Sequence, residues 1–272
     1  MPNDAMAARS LPPVSAPDSR SPDPGASAKT LADRAPPGLD PGRHALFLDF
    51  DGTFVDFAPT PDSVELRPGS KALLERLSRR LGGALAMVSG RKIADIDGFL
   101  APLKLPASGV HGQEFRPAAG DFRKQPATPD LDEARRRLSH LVRPDDPLLV
   151  EDKGGALVLH FRLHPEQRER AERLSQEAVA GLSDLHALEG HSIFEIRQRG
   201  ISKALALQLF GDLPPFAGRL PVFVGDDTTD EDGIRAAAKA GGFGVKVGPG
   251  VTEAAYRLPD VTAVHDWLKR IA

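Results

Sequence analysis

Short apolar runs and helical stripes alternate twice in this chain, over 45–100 and again over 202–271, and a differently patterned stretch separates the two. In the first stretch the run 45–49 (ALFLD) precedes a helix over 69–81, whose Leu73, Leu74, Leu77 and Leu81 recur at helical spacing. Gly82-Gly83 ends that helix, a second apolar run (84–88) follows, and Ile93, Ile96 and Leu100 mark another helix. Strand–helix–strand–helix of this length predicts right-handed βαβ units and a parallel sheet covered on both faces. The second stretch restores the rhythm with a helix over 202–210, a strand over 220–224, a helix to 240, a strand over 242–247 and a last helix carrying Trp267 and Leu268. The predicted fold class is α/β: a doubly wound parallel-sheet, Rossmann-like core built from 44–115 and 196–272.

The stretch between them reads differently. An amphipathic helix over 131–142 leads to a short strand at 148–151, the turn Asp152-Lys153-Gly154-Gly155 and a returning strand at 156–162. A charged helix over 165–181 and a second hairpin over 185–197 complete the pattern of an inserted α+β unit, 116–195, placed as a cap. Pro59, Pro61 and Pro68 mark a loop near the first strand. Residues 1–43 are rich in Pro, Ala, Ser and Asp without helix or strand period, and read as a disordered tail. Leu11-Pro12-Pro13 interrupts the apolar core that a signal peptide needs.

Charge and composition narrow the partners. A net charge of -3 and a pI near 6.3 leave no electrostatic footprint for nucleic acid or an anionic membrane. No apolar run approaches the roughly 18 residues of a membrane span. The absence of cysteine excludes disulfides and thiolate metal sites and fits a cytoplasmic location. Oligomeric state is not legible.

In open parallel sheets ligands bind at the carboxyl ends of the strands. Four polar groups fall there. Asp49 and Asp51 share a face, with Phe50 on the other, and two adjacent carboxylates repel each other unless a cation joins them. Ser89, in the turn Ser89-Gly90-Arg91, offers a hydroxyl to an anionic oxygen. Lys203 opens a helix, where its charge and the helix N-terminus both favour an anion. Gly225-Asp226-Asp227 ends a strand, with Asp230 one helical turn later. Taken singly these are a serine cap, a solvated lysine and an acidic helix start. Their conjunction at one sheet edge is not explained that way.

Asp-x-Asp-Gly-Thr, then a strand-end Ser, a Lys and Gly-Asp-Asp-x-x-Asp resemble the four motifs of the haloacid dehalogenase phosphatase superfamily. Within it, LFLDFDGT, ALAMVSGRKIADID, GVHGQEFR, VEDKGGALVLHFR, FEIRQRGISKALAL and FVGDDTTDED resemble the trehalose 6-phosphate phosphatases, in order across 45–250. Ala204 stands where that family commonly has Gly, and Phe54 replaces a usual Leu; neither touches a reacting group.

The resemblance implies a hydrolase core in which Asp49 is the nucleophile and forms an aspartyl phosphate. Asp51 would protonate the leaving sugar oxygen and then deprotonate the attacking water. Asp49, the Asp51 carbonyl oxygen and Asp226 would hold Mg2+, with Asp227 and Asp230 orienting its waters. Ser89 and Lys203 would neutralise the transferring phosphoryl group, and Thr53 would add a hydrogen bond. Substrate binding falls by resemblance to Glu114, Glu151, Lys153 and Glu195, with His111 and Arg123. Arg91 stands open between a helix cap and a contact to the cap. His160 and Arg162 alternate with Leu159 and Phe161, so one pair is expected to face the cleft and the other the cap core. The implied activity is Mg2+-dependent hydrolysis of trehalose 6-phosphate to trehalose and phosphate, in trehalose biosynthesis. The alternatives are a phosphatase for another sugar phosphate, such as sucrose 6-phosphate, mannosyl-3-phosphoglycerate or a hexose phosphate, phosphoryl transfer to an acceptor other than water, and a non-catalytic sugar-phosphate-binding regulatory module.

Overall fold

The apolar runs at either end of the pattern become neighbouring strands of one sheet in a computed structural model that describes residues 34–58, 63–117, 122–190 and 192–272. β1 (His44–Leu48) lies between β2 (Leu85–Val88) and β10 (Leu220–Gly225), all parallel, with Leu46 opposite both Leu85 and Val222. β2 is buried along its whole length, as a strand covered on both faces must be, which is why it is written as an unbroken apolar run. β11 (Phe243–Val247) and β12 (Tyr256–Leu258) extend the sheet on one side. β3 (Ala107–Gly109), β4 (Glu114–Arg116) and β5 (Arg123–Lys124) extend it on the other, the last two antiparallel. The strand order is β12-β11-β10-β1-β2-β3-β4-β5.

Helices α1 (Ser70–Arg80) and α7 (Val261–Ile271) pack together, as do α5 (Lys203–Gly211) and α6 (Glu231–Lys239), while α2 (Ile93–Leu100) follows β2. Leu73, Leu74 and Leu77 of α1 are buried, the stripe that the sequence spacing predicts. Side-chain caps set two helix starts: Ser202 accepts from the Leu205 amide (3.4 Å) and Asp260 from that of Ala263 (2.8 Å).

The inserted unit has its own core. A four-stranded antiparallel sheet is ordered β6 (Leu149–Asp152), β7 (Ala156–His160), β9 (Ile193–Gln198), β8 (Leu185–Gly190). α3 (Pro129–Leu141) and α4 (Arg168–Val179) bury Leu131, Leu138 and Leu174 with Leu159, Phe161 and Ile196, apart from the core of the larger sheet.

Both expected unit boundaries cut through strands. The 115/116 division falls inside β4, and β5 is hydrogen-bonded into the larger sheet, so that sheet continues to Lys124. The 195/196 division falls inside β9, which belongs to the smaller sheet through Gln198. Strands of two or three residues, such as β4 and β5, are too short to show a period in sequence. The tail also ends earlier than expected. Trp267 Nε1 donates to the Pro37 carbonyl (2.9 Å), the Arg257 amide to that of Arg34 (2.9 Å), and Leu39 is buried. The rest of the expected tail, 1–33, lies outside the described residues, as do Pro59 and Pro61 of the expected loop.

Candidate active site

The site grows from two strand ends. One residue past β1, the Asp49 amide donates to the Val224 carbonyl of β10 (3.0 Å), so the carboxylate is delivered beside the end of the neighbouring strand. The chain then turns tightly: the Phe54 and Val55 amides both donate to the Phe50 carbonyl (2.9 Å each), and Gly52 sits at φ +74. A Cβ at Gly52 would collide with Asp226 Oδ2, so this glycine makes room for a second carboxylate.

Beyond β10, Asp227 caps a short 3₁₀ turn, accepting from the Thr228 amide (2.6 Å) and hydroxyl (2.9 Å). The fully buried Asp230 reaches back, its Oδ2 accepting from the amides of Asp226 (3.0 Å) and Asp227 (2.9 Å). Lys203 Nζ donates to Asp230 Oδ1 (2.5 Å) and Asp49 Oδ1 (2.7 Å). At 2% exposure this lysine is no solvated surface residue. Thr53 Oγ1 donates to Asp226 Oδ1 (3.1 Å). Lys246 Nζ donates to the Asp226 carbonyl.

Asp49, Asp226 and Asp230 each offer a carboxylate oxygen within 4.8 Å of the others. Burial, then the Asp230 charge, raises the Asp49 pKa and pushes that of Asp226 up to about 7. Burial pulls the Lys203 pKa down, but Asp230 and Asp49 outweigh it and hold the ammonium charged. Three clustered carboxylates around one ammonium leave an excess of negative charge and an all-oxygen donor set, which suits a hard cation. Both Asp230 oxygens are already engaged by donors, so Asp49 and Asp226 are the carboxylates left to hold such an ion and Asp230 orients them.

Asp51 faces a different partner. Arg91 grips its carboxylate with Nε and Nη2, both at 2.7 Å, and lies over the rings of Phe99 (5.0 Å) and Phe50 (5.7 Å). Arg91 is thus a clamp on Asp51, and it also lines the cleft. Ser89 is buried, and its Oγ accepts from the Arg91 amide (3.2 Å). Asp49, Asp51, Ser89, Lys203, Asp226 and Asp227 all line one cleft of about 490 Å³.

The cap supplies the opposite wall. Glu151, Lys153, His160 and Arg162 line the cleft, with Leu149, Leu163 and Ile193 as apolar surface. Lys153 Nζ donates to the Gly90 carbonyl (2.8 Å) and Arg162 Nη1 to that of Ala58 (2.8 Å), two bonds from cap to core. His160 Nε2 lies 2.9 Å from Glu151 Oε2. His160 at the end of β7 and Arg162 just past it take the cleft side, and Leu159 and Phe161 the cap core.

Three of the residues assigned to substrate are placed elsewhere. Glu114 is buried under the start of α2, where its Oε2 accepts from the Ile93 amide (2.8 Å). Arg123 lies exposed on β5, at the edge of the larger sheet and off the cleft lining. Glu195 is buried behind the wall, with Oε2 3.1 Å from His111 Nε2, and it is His111, at φ +54, that lines the cleft. The sequence reading missed Lys246, although a lone lysine in the buried strand FGVKV is a readable signal.

A capped α/β core of this kind has counterparts among solved structures. A Bacteroides thetaiotaomicron phosphatase of the haloalkanoate (HAD) enzyme superfamily shares the fold at a TM-score of 0.59 and 19% identity, over 93% of this chain and 99% of that one. The C-terminal domain of Candida albicans trehalose-6-phosphate phosphatase superposes with a TM-score of 0.74 at 19% identity, over 85% and 92% of the two chains. The chain belongs to the trehalose-phosphatase family, whose model matches residues 47–261. A probable trehalose-phosphate phosphatase of Sinorhizobium fredii is 37% identical over 231 residues, 84% of this chain and 87% of that protein.

Proposed function

We propose that this enzyme hydrolyses trehalose 6-phosphate to trehalose and phosphate through an aspartyl-phosphate intermediate on Asp49. The observation that carries the reading is the Asp49–Lys203–Asp230 cluster, buried at the sheet edge and facing a polar cap wall. Asp49 attacks phosphorus while Lys203 and Ser89 balance the charge of the transferring group. Asp51 gives its proton to the departing sugar oxygen and takes one from the water that cleaves the acyl phosphate. Arg91 holds both Asp51 oxygens in this structure and so fixes the orientation of the carboxyl that carries the proton. Asp49, Asp226 and the Asp51 carbonyl oxygen would hold Mg2+, which would supply positive charge to the transferring phosphoryl group. Glu151, Lys153 and His160 offer the donors and acceptors that a disaccharide of hydroxyls requires.

The test is kcat/KM across trehalose 6-phosphate, sucrose 6-phosphate, mannosyl-3-phosphoglycerate and glucose 6-phosphate. Trehalose 6-phosphate is expected to lead by about a hundred-fold or more. A different leader would transfer the function to another sugar phosphate and leave the chemistry standing.

A further inference from the structure

Lys246 sits where a charge is costly. It lies in β11 opposite Gly225, the last residue of β10, and is 4% exposed in a strand otherwise built from Phe, Gly and Val. A buried ammonium is unfavourable unless it is paired or hydrogen-bonded. Among the described residues Lys246 forms no ion pair, and its one hydrogen bond goes to the Asp226 carbonyl. No step of the proposed hydrolysis uses it.

That carbonyl belongs to a peptide held from both sides. The Asp226–Asp227 unit offers its C=O to Lys246 and its N–H to Asp230 Oδ2 (2.9 Å). Asp230 is held in turn by Lys203, which also reaches Asp49. The rest of Asp226 is engaged in the same way: its amide donates to Asp230 Oδ2 (3.0 Å), and its Oδ1 accepts from Thr53 (3.1 Å). Among the described residues Oδ2 is the one polar atom of Asp226 left without a hydrogen bond. It packs against Gly52, the residue that follows Asp51, and Asp226 lines the cleft.

We propose that Lys246 is a positioning residue for the cation: by holding the Asp226–Asp227 peptide it aims Asp226 Oδ2 at the ion, although it touches neither ion nor substrate. A charge alone would act the other way. Removing a positive charge beside a carboxylate cluster strengthens the attraction for a cation. Freeing the peptide lets Asp226 swing and weakens the hold on the ion. The sign of the change in Mg2+ affinity separates the two.

The probe is Mg2+ alone, titrated into the full chain without substrate and read as the rise in melting temperature. Lys246→Met removes donor and charge at similar volume and should weaken Mg2+ about ten-fold. Lys246→Gln keeps a donor without the charge and should stay within about three-fold of native. In turnover the Met variant should need about ten-fold more Mg2+ for half-maximal rate. Its kcat at saturating Mg2+ and its KM for trehalose 6-phosphate should stay close to native, a rescue that a loosened fold would not show. Binding of Mg2+ that is tighter or unchanged in Lys246→Met, or equally weakened in both variants, would overturn the proposal. Should the Met variant not fold, the Gln variant decides, and tighter binding there would overturn it. The inference rests on the proposed cation site. A native chain that binds no Mg2+ would overturn that site and this role with it, whereas native-like binding in Lys246→Met would overturn the role of Lys246 alone.

Discussion

Lys203 is shared between Asp49 and Asp230, and its single positive charge must serve three carboxylates. Asp49→Asn removes the attacking oxygen anion while keeping the shape of the side chain, so turnover should vanish and trehalose 6-phosphate binding should persist, by phosphate release and calorimetry respectively. Undiminished turnover in that variant would sink the nucleophile assignment. Asp226 shares the pH dependence with Asp49, whose pKa burial and Asp230 also raise. The Asp226 pKa rises from 3.8 to about 7 on folding, first through burial and then through Asp230, so between those values the folded chain holds a proton that the unfolded chain has lost. In the metal-free protein this group's contribution to stability therefore falls as pH rises through that window. A cation needs the ionised form, so the rise in melting temperature on adding Mg2+ should be larger at pH 8 than at pH 5. Equal increments at both values would show that this carboxylate pair does not hold the ion.

At the scale of elements, what was legible depended on length and on side-chain direction. The runs that form β1, β2 and β10 and the stripe of α1 carry their period openly, and the ends of those runs mark Asp49, Ser89 and Asp226 in the sequence alone. β3, β4 and β5 were not legible, because two or three residues hold no period. Glu114 shows the other difficulty. Its position in the His-Gly-x-Glu stretch resembles a sugar reader, but the β3–β4 turn aims it at the Ile93 amide, one of the orphan donors at the start of α2. Direction at an irregular turn depends on tertiary contacts that sequence does not display. Glu114→Ala should therefore lower stability by about 1–2 kcal/mol in denaturant melts, with KM for the sugar phosphate unchanged. A raised KM at full stability would return Glu114 to the substrate.

At the scale of the whole molecule, the cleft exists because two units with separate cores meet over one sheet edge. Lys153 to the Gly90 carbonyl, Arg162 to the Ala58 carbonyl and Gln113 to Gln198 (3.1 Å) tie cap to core. Lys153 both ties and lines, so Lys153→Ala should raise KM about ten-fold and change kcat far less, in steady-state assays. The most direct test of the account is phosphate release from trehalose 6-phosphate by the purified chain, followed together with free trehalose, in Mg2+ and in EDTA. Equimolar phosphate and trehalose are expected in Mg2+, with both lost in EDTA and restored when Mg2+ is returned. Release that ignores EDTA, or sugar dephosphorylated without free phosphate, would contradict the account.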